Sequence, residues 1–344
     1  MKIRDLDNLS SRLHGRRSRS YYGERLNALC ALKSPADLGS VLFAGAGLLS
    51  ARQVQLRLAE DLAAGARALA AEFEGARARY LEWTAARLYV ENIKVVIRTL
   101  AAGYPPESAG PLLMPLPPWP ELCGAAFSGT ATPEALAAAL PAGVLRHSLE
   151  RAYAAYPGKS GSFFYETALD KGYLTELLAR LAGLRREDGE QVRPLVRQEI
   201  TVFNLMLAAR GRFFYGLDKK ELLSAFVPGC GISGRIFSAM LDAPGVGDLR
   251  ALVPGLAVES GPPEPDPGLL EALAWNRYAR LALRAFRGSS TGFGLAAAYL
   301  ALRRLEAANL ATTAEGLRLG VAAEGLRGRV FPRTFSVKKP EGGG

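Results

Sequence analysis

Residues 88–110 read LYVENIKVVIRTLAAGYPPESAG, residues 200–222 ITVFNLMLAARGRFFYGLDKKEL, and residues 302–326 LRRLEAANLATTAEGLRLGVAAEGL. Each stretch carries an asparagine followed by Ile or Leu, a glycine eleven or twelve residues later and then an acid: Asn92, Gly103 and Glu107; Asn204, Gly216 and Glu221; Asn309, Gly320 and Glu324. The asparagines lie 112 residues (92 to 204) and 105 residues (204 to 309) apart, about one third of a 344-residue chain. Self-similarity at a fixed period outranks single motifs in deciding an architecture. The spacing therefore predicts three similar helical units, over residues 1–120, 121–235 and 236–332, followed by a flexible basic tail at 333–344.

The periodicity inside these stretches is helical. Tyr89, Ile93, Val96, Ile97 and Leu100 fall on one face, as do Val196, Ile200, Phe203 and Leu207, and Leu295, Tyr299 and Leu302 begin a third stripe. Ala, Leu, Glu and Arg dominate and β-branched runs are scarce, so the fold class is all-α, with one or two long helices over residues 52–101. Each glycine reads as a helix stop, and the acid beyond it belongs in the first turn of the next helix, where a negative charge favours the free amides. An asparagine inside a helix is mildly unfavourable. Three at one register imply a repeated hydrogen-bonding task, such as holding a neighbouring helix end. Arg98 and Arg210 each follow their asparagine by six residues, whereas Glu315 occupies that place in the third stretch.

Proline and glycine cluster at 103–133, with PLPPWP at 115–120, and again at 254–267; both stretches read as loops or boundaries. The uncharged runs 38–51 and 288–302 are too short for a spanning helix, which needs roughly 20 apolar residues. The first residues, MKIRDLDNLSSRL, lack the apolar core of a signal peptide. Cys30, Cys123 and Cys230 are widely separated and form no CxxC, which favours a reducing cytosol.

Net charge is +10, and the surplus sits at the ends: eight Lys or Arg against three acids in residues 1–33, and five against two in 321–344. Such ends suit an acidic protein surface, lipid headgroups or nucleic acid, and also serve plain solubility. Arg12, Arg16, Arg17, Arg19 and Arg25 interleave with Tyr21 and Tyr22, a pattern able to grip phosphate and stack on bases, but no nucleic-acid fold signature accompanies it.

Catalytic motifs are weak. GCGISG at 229–234 fits G-x-G-x-x-G, yet the residues before it read as a helix stopped by Pro228 where a dinucleotide site needs a strand. GKS at 158–160 lacks the first glycine of a phosphate loop and follows a helical segment. His14 and His147 have no partner ligands at metal spacing. Glu166 and Asp170 share a helix face and, with Lys171, read as a solvated face rather than an acid–base pair. No catalytic, cofactor or metal residue is assigned.

The same segments resemble the C subunit of bacterial and archaeal V/A-type rotary ATPases, called subunit d in eukaryotic V-ATPases. That family carries N-[IL]-x-x-x-x-R on a helix, a glycine turn and an acidic helix start, matched here by Asn92 through Arg98 with Gly103 and Glu107, by Asn204 through Arg210 with Gly216 and Glu221, and by Asn309, Gly320 and Glu324. RLHGRRSR at 12–19, FYETALDKGYLTELL at 164–178, FVPGCGISGRIF at 226–237 and GFGLAAAYLALRRLEAANL at 292–310 follow in family order. Departures are Glu315, the elaborated proline-rich stretch and the basic extension. The resemblance implies three helical units arranged as a pseudo-threefold funnel, a non-catalytic rotor subunit. It implies seating on the cytoplasmic face of the membrane-embedded ion-carrying ring, docking of the central shaft subunits, and ATP-coupled proton or sodium transport. It makes Arg16, Arg17 and Arg19 candidate contacts with the ring or with lipid, and names neither nucleic acid nor a nucleotide as a ligand of this chain. The alternative reading is a helical-repeat scaffold for protein–protein interaction.

Overall fold

Helix-forming composition is realised throughout: the computed structural model describes residues 3–119, 122, 132–156, 161–256, 266–289 and 292–333, without the side chains of 3–6 and 133, and contains no strand among them. In chain order the helices are α1 (Ile3–Ser18), α2 (Glu24–Leu29), α3 (Pro35–Leu42), α4 (Ala51–Ala70), α5 (Gly75–Ala101), α6 (Pro133–Ala139), α7 (Val144–Ala155), α8 (Phe163–Ala182), α9 (Arg186–Phe213), α10 (Lys219–Ala225), α11 (Gly234–Leu241), α12 (Leu249–Leu252), α13 (Pro267–Gly288), α14 (Phe293–Arg318) and α15 (Ala323–Arg327). Two 3-10 turns, Pro106–Leu112 and Val246–Asp248, join them. Of the one or two long helices expected over 52–101 there are two, α4 stopping before Gly75, whose φ of 62° suits a residue without a Cβ. The proline-rich stretch after Gly103 begins as 3-10 helix rather than loop, and most of 120–131 lies outside the described residues, as do 257–265 of the second such stretch and the tail from 334 onward.

The chain divides into two compact units, Leu56–Gly189 and Lys2–Gln55 with Glu190–Gly344. In the first, α8 packs against α5 and α7, and the Pro106–Leu112 turn lies on α5. Its core joins Leu81, Ile93 and Ile97 of α5 to Leu169, Tyr173 and Leu174 of α8 and Leu149 of α7, all fully buried. The Trp83 indole N–H donates to the Tyr173 carbonyl at 3.0 Å, satisfying a buried donor. Gly172 permits the close α7 approach, since a Cβ there would stand 2.6 Å from Ser148 Oγ.

In the second unit α14 is the central element. Residues 293–302 are buried without exception, and a helix apolar on all sides belongs inside a core. Helices α1, α3, α13 and α15 lie against it. Helix α9 is held by a side-chain bond, Gln198 Nε2 to the Ala274 carbonyl at 2.9 Å, and by the close approach of Gln191 to Gly294. No helix among the described residues is long and apolar enough to cross a membrane.

Candidate functional site

The three asparagines perform one task in three places. Asn92 Nδ2 donates to the Met114 carbonyl at 2.9 Å while its Oδ1 accepts from the Met114 N–H at 2.8 Å, across 22 residues. Asn204 does the same to Val227, at 2.7 and 3.0 Å across 23 residues. Asn309 does the same to Phe331, at 2.7 and 2.7 Å across 22 residues. A side-chain amide carries one donor and one acceptor edge in the spacing of a peptide group, so one asparagine satisfies both polar groups of a residue that belongs to no helix ladder. The clamped residue is thus a backbone point fixed onto the helix that carries the asparagine. The held element is a loop residue, where the sequence suggested a helix end.

The glycine turns also repeat in detail. Gly103, Gly216 and Gly320 all have left-handed φ, of 78°, 62° and 69°. The residue after each glycine donates back to the helix: Tyr104 to Thr99 at 3.1 Å, Leu217 to Gly211 at 2.8 Å and Val321 to Gly316 at 2.9 Å. The accepting residue is seven places after the asparagine in every case, which closes the last turn in the manner of a glycine C-cap. Glu107, Glu221 and Glu324 occupy the first turn of the next element, Glu221 within a capping box on Asp218. A size exchange accompanies the turn. Gly211 and Gly316 make room for the buried Leu222 and Leu326, whose methyls would lie 2.4 and 2.0 Å from an added Cβ, while the first copy has Thr99 and the buried Ala109 at those places.

The arginines six residues after the first two asparagines both cross to another helix of their own unit. Arg98 forms a two-pronged ion pair with Glu166 of α8, and Arg210 pairs with Glu271 of α13 at 2.6 Å. Donating hydrogen bonds to the Glu166 carboxylate pushes the Arg98 guanidinium pKa up. In the third copy Glu315 turns back to Arg318 on its own helix. Glu166 and Asp170 are therefore not the solvated face expected from sequence. Asp170 meets both Arg87, at 2.7 Å, and the buried Lys94, and the neutralisation of Lys94 explains how an ammonium can sit inside. Burial raises the pKa of Glu91 in the same cluster, but Arg87 and Lys94 outweigh it and hold the carboxyl below its usual range.

The basic opening helix separates its arginines. Arg16 and Arg19 are exposed. Arg17 turns inward to a pocket with Tyr22, Leu283 and Glu306, its guanidinium 4.8 Å from the Tyr22 ring centre. Burial lowers the Arg17 pKa, against an opposing pull from Glu306. Glu306 Oε1 also accepts the Tyr21 N–H at 2.7 Å, so the chain leaving α1 is tied to α14.

The remaining motifs are structural where they are described. GCGISG follows α10, not a strand, and its Cys230 Sγ accepts from Asn204 Nδ2 at 3.4 Å and from the Ile232 N–H at 3.3 Å, so the loop completes the second clamp. GKS at 158–160 lies outside the described residues. His14 lies against Phe286 in a tilted ring contact, with ring centres 4.8 Å apart and 58° between planes, and His147 is exposed. Among the described residues no group of His, Cys, Asp or Glu could hold a metal ion. Sequence reading missed a fourth clamp: Asn276 Nδ2 donates to the Arg333 carbonyl at 2.9 Å and Oδ1 accepts from the Arg333 N–H at 2.7 Å, across 57 residues. Arg277 stands where the repeat has Ile or Leu, and no acid follows Gly288 at the repeat spacing, which leaves Asn276 outside the repeat signature.

A family model described as ATP synthase (C/AC39) subunit matches residues 9–329, nearly the whole chain. No curated protein matches the sequence.

Proposed function

The chain belongs to the ATP synthase (C/AC39) subunit family, a V/A-type ATPase subunit, and from that premise we propose that it acts as the non-catalytic rotor adapter between the central shaft and the membrane-embedded ion-carrying ring. In this reading ATP-driven rotation of the shaft turns the ring to move protons or sodium, or ion flow turns the shaft. The observation that carries it is the triple clamp. Asn92, Asn204 and Asn309 each fix a backbone point onto a long helix through two hydrogen bonds, and a torque coupler needs stiffness that exposed side-chain pairs do not supply.

The proposal includes the three-unit division at 1–120, 121–235 and 236–332, with the units closing as a funnel around an axis on the cytoplasmic face of the membrane. Peripheral attachment fits the absence, among the described helices, of one able to cross a membrane. Exposed Arg16 and Arg19 are offered as the contacts with the ring or its lipid surround, and Arg17 as their inward anchor. The test is co-purification with membrane ring and shaft subunits in stoichiometric amount. Ring preparations that retain the shaft but never this protein would overturn the adapter reading. Charge reversal of Arg16 and Arg19 should weaken ring attachment with helicity unchanged.

A further inference from the structure

Cations, aromatic rings and an apolar loop gather at the α1 end of the second unit. Residues 8–23 and 272–288 hold eight arginines and no acid. Arg12, Arg16 and Arg19 of the opening segment and Arg280, Arg284 and Arg287 of α13 are exposed, and both trios step by four and then three, along one helix face. The two helices meet where His14 lies against Phe286 and where Arg17 shares a pocket with Leu283. Arg17 differs from the rest in being half-buried, over the Tyr22 ring. Both oxygens of the neighbouring Glu306 are engaged elsewhere, Oε1 by the Tyr21 N–H at 2.7 Å and Oε2 by Arg303 at 2.6 Å. Among the described residues, therefore, no side chain accepts from the Arg17 guanidinium, whose planar fork matches phosphate. The Tyr21 hydroxyl donates to the Val41 carbonyl at 3.4 Å, which ties this site to the uncharged stretch 38–51. That stretch turns its apolar side outward: Leu48 is 84 % exposed and Val41 48 %. Its backbone is held, because Leu49 packs on Gly39, where an added Cβ would stand 2.9 Å from the Leu49 Cβ, and Ser50 and Gln53 exchange bonds of 2.8 and 3.3 Å at the start of α4.

We propose that this end of the unit binds an anionic phospholipid surface directly: Arg17 takes up a headgroup phosphate, Arg16, Arg19 and Arg287 meet neighbouring headgroups, and Val41 and Leu48 enter the interfacial layer. Charge alone would suit an acidic protein or RNA equally well. The uncharged loop selects lipid, because there the burial of apolar side chains and the attraction of cations to anionic headgroups act together. The exposed acids beside the site in sequence serve helix starts: Glu24 stands in the first turn of α2, and Asp37, in that of α3, accepts from the Ser34 hydroxyl at 2.8 Å. The proposal rests on the peripheral placement of the adapter reading and names lipid itself, apart from any ring protein, as a partner.

The test sediments the full chain with vesicles of phosphatidylcholine, alone or with about one third phosphatidylglycerol. Saturable binding to the anionic vesicles is expected, at least about tenfold tighter than to the neutral ones and largely lost as salt is raised toward about 1 M. Leu48→Ser, in an exposed loop, should weaken it by about fivefold or more, and Arg16→Glu/Arg287→Glu by about tenfold or more. Arg17→Gln should weaken it by about fivefold or more, and should Arg17→Gln fail to fold, as read by circular dichroism, the exposed variants still decide. Absence of binding, equal binding to neutral and anionic vesicles, or an affinity that Leu48→Ser leaves unchanged would each overturn the proposal. Retention on single-stranded RNA but not on vesicles would overturn it too, and would assign the arginines to nucleic acid. The vesicles hold neither ring nor shaft, so failure here leaves co-purification with the ring as a separate test of the adapter reading.

Discussion

The first and third copies of the repeat agree at the main-chain clamp and differ at the half-exposed ion pair beyond it. Asn92 and Asn309 clamp residues exactly as far along the chain, 22 positions, with nearly the same pair of bonds. Six residues beyond each asparagine the copies part: Arg98 reaches another helix, and Glu315 pairs within its own. The difference follows from what each loss costs. Removing a clamp strands a main-chain N–H and C=O with nothing to replace them, whereas an ion pair half open to water trades its partner for solvent. The repeat is therefore preserved at the main chain and free to drift at the salt bridge.

The largest effect should come from the most buried clamp. Asn204 and the Val227 it holds are both at 0 % exposure, so Asn204→Ala leaves two polar groups unpaired in the core. At about 1–3 kcal/mol for each group, the expected loss is roughly 2–6 kcal/mol, read as a fall in the urea midpoint of the full chain. A loss below about 1 kcal/mol would mean that the clamp is not what the repeat preserves. Asn204→Asp should fare no better, because a carboxylate cannot donate to the Val227 carbonyl.

Next is the exchange of bulk at the turn. Gly316→Thr places a side chain against buried Leu326, at an expected cost of about 1–3 kcal/mol. Adding Leu326→Ala converts the third copy to the Thr99 and Ala109 arrangement of the first, so the double variant should be clearly more stable than the sum of the single losses predicts. Simple additivity would show that the two turns are not equivalent in packing.

These cases also show how far the sequence could be read. The asparagine–glycine–acid register was legible because each member is an unusual choice for its place: an amide inside a helix, a residue free to take positive φ, a charge at a helix start. What the asparagines hold was not legible, since Met114, Val227 and Phe331 share no side-chain chemistry and are recognised through their backbones. The same blindness hid Asn276. Glu166 and Asp170 misled for the opposite reason: their partners Arg98, Arg87 and Lys94 sit more than 65 residues upstream, and spacing on one helix says nothing about a cross-helix pair. The family register was visible in residues 88–326, while the inward turn of Arg17 depended on a pocket assembled from α1, α13, α14 and the 331–332 segment.

A smaller effect is expected at the diverged position. Arg98 and Arg210 side chains are half exposed, so Arg98→Ala and Arg210→Ala should each lose less than about 1 kcal/mol, and the loss should shrink as salt is raised toward 1 M. A loss as large as that of Asn204→Ala would abolish the contrast between main-chain pinning and side-chain pairing.

The smallest expected effect is a pH dependence in the first unit. Glu91 has a folded pKa below its ordinary value, because Arg87 and Lys94 outweigh burial. Its contribution is therefore fully present above the ordinary carboxylate range, near pH 4.3, and is lost as pH falls through that range toward the lowered value. With the side chain 34 % exposed, solvent screening holds the contribution to about 1 kcal/mol or less. Glu91→Gln should be less stable than the wild type at pH 7, with the gap closing as pH is lowered below 4 in urea titrations. A gap that widens on acidification would reverse the sign of the shift and would mean that burial, rather than the two cations, governs this carboxyl. Lys94 would then lean on Asp170 alone, making the ion cluster of the first unit depend on a single cross-helix pair, as Arg210 does on Glu271 in the second.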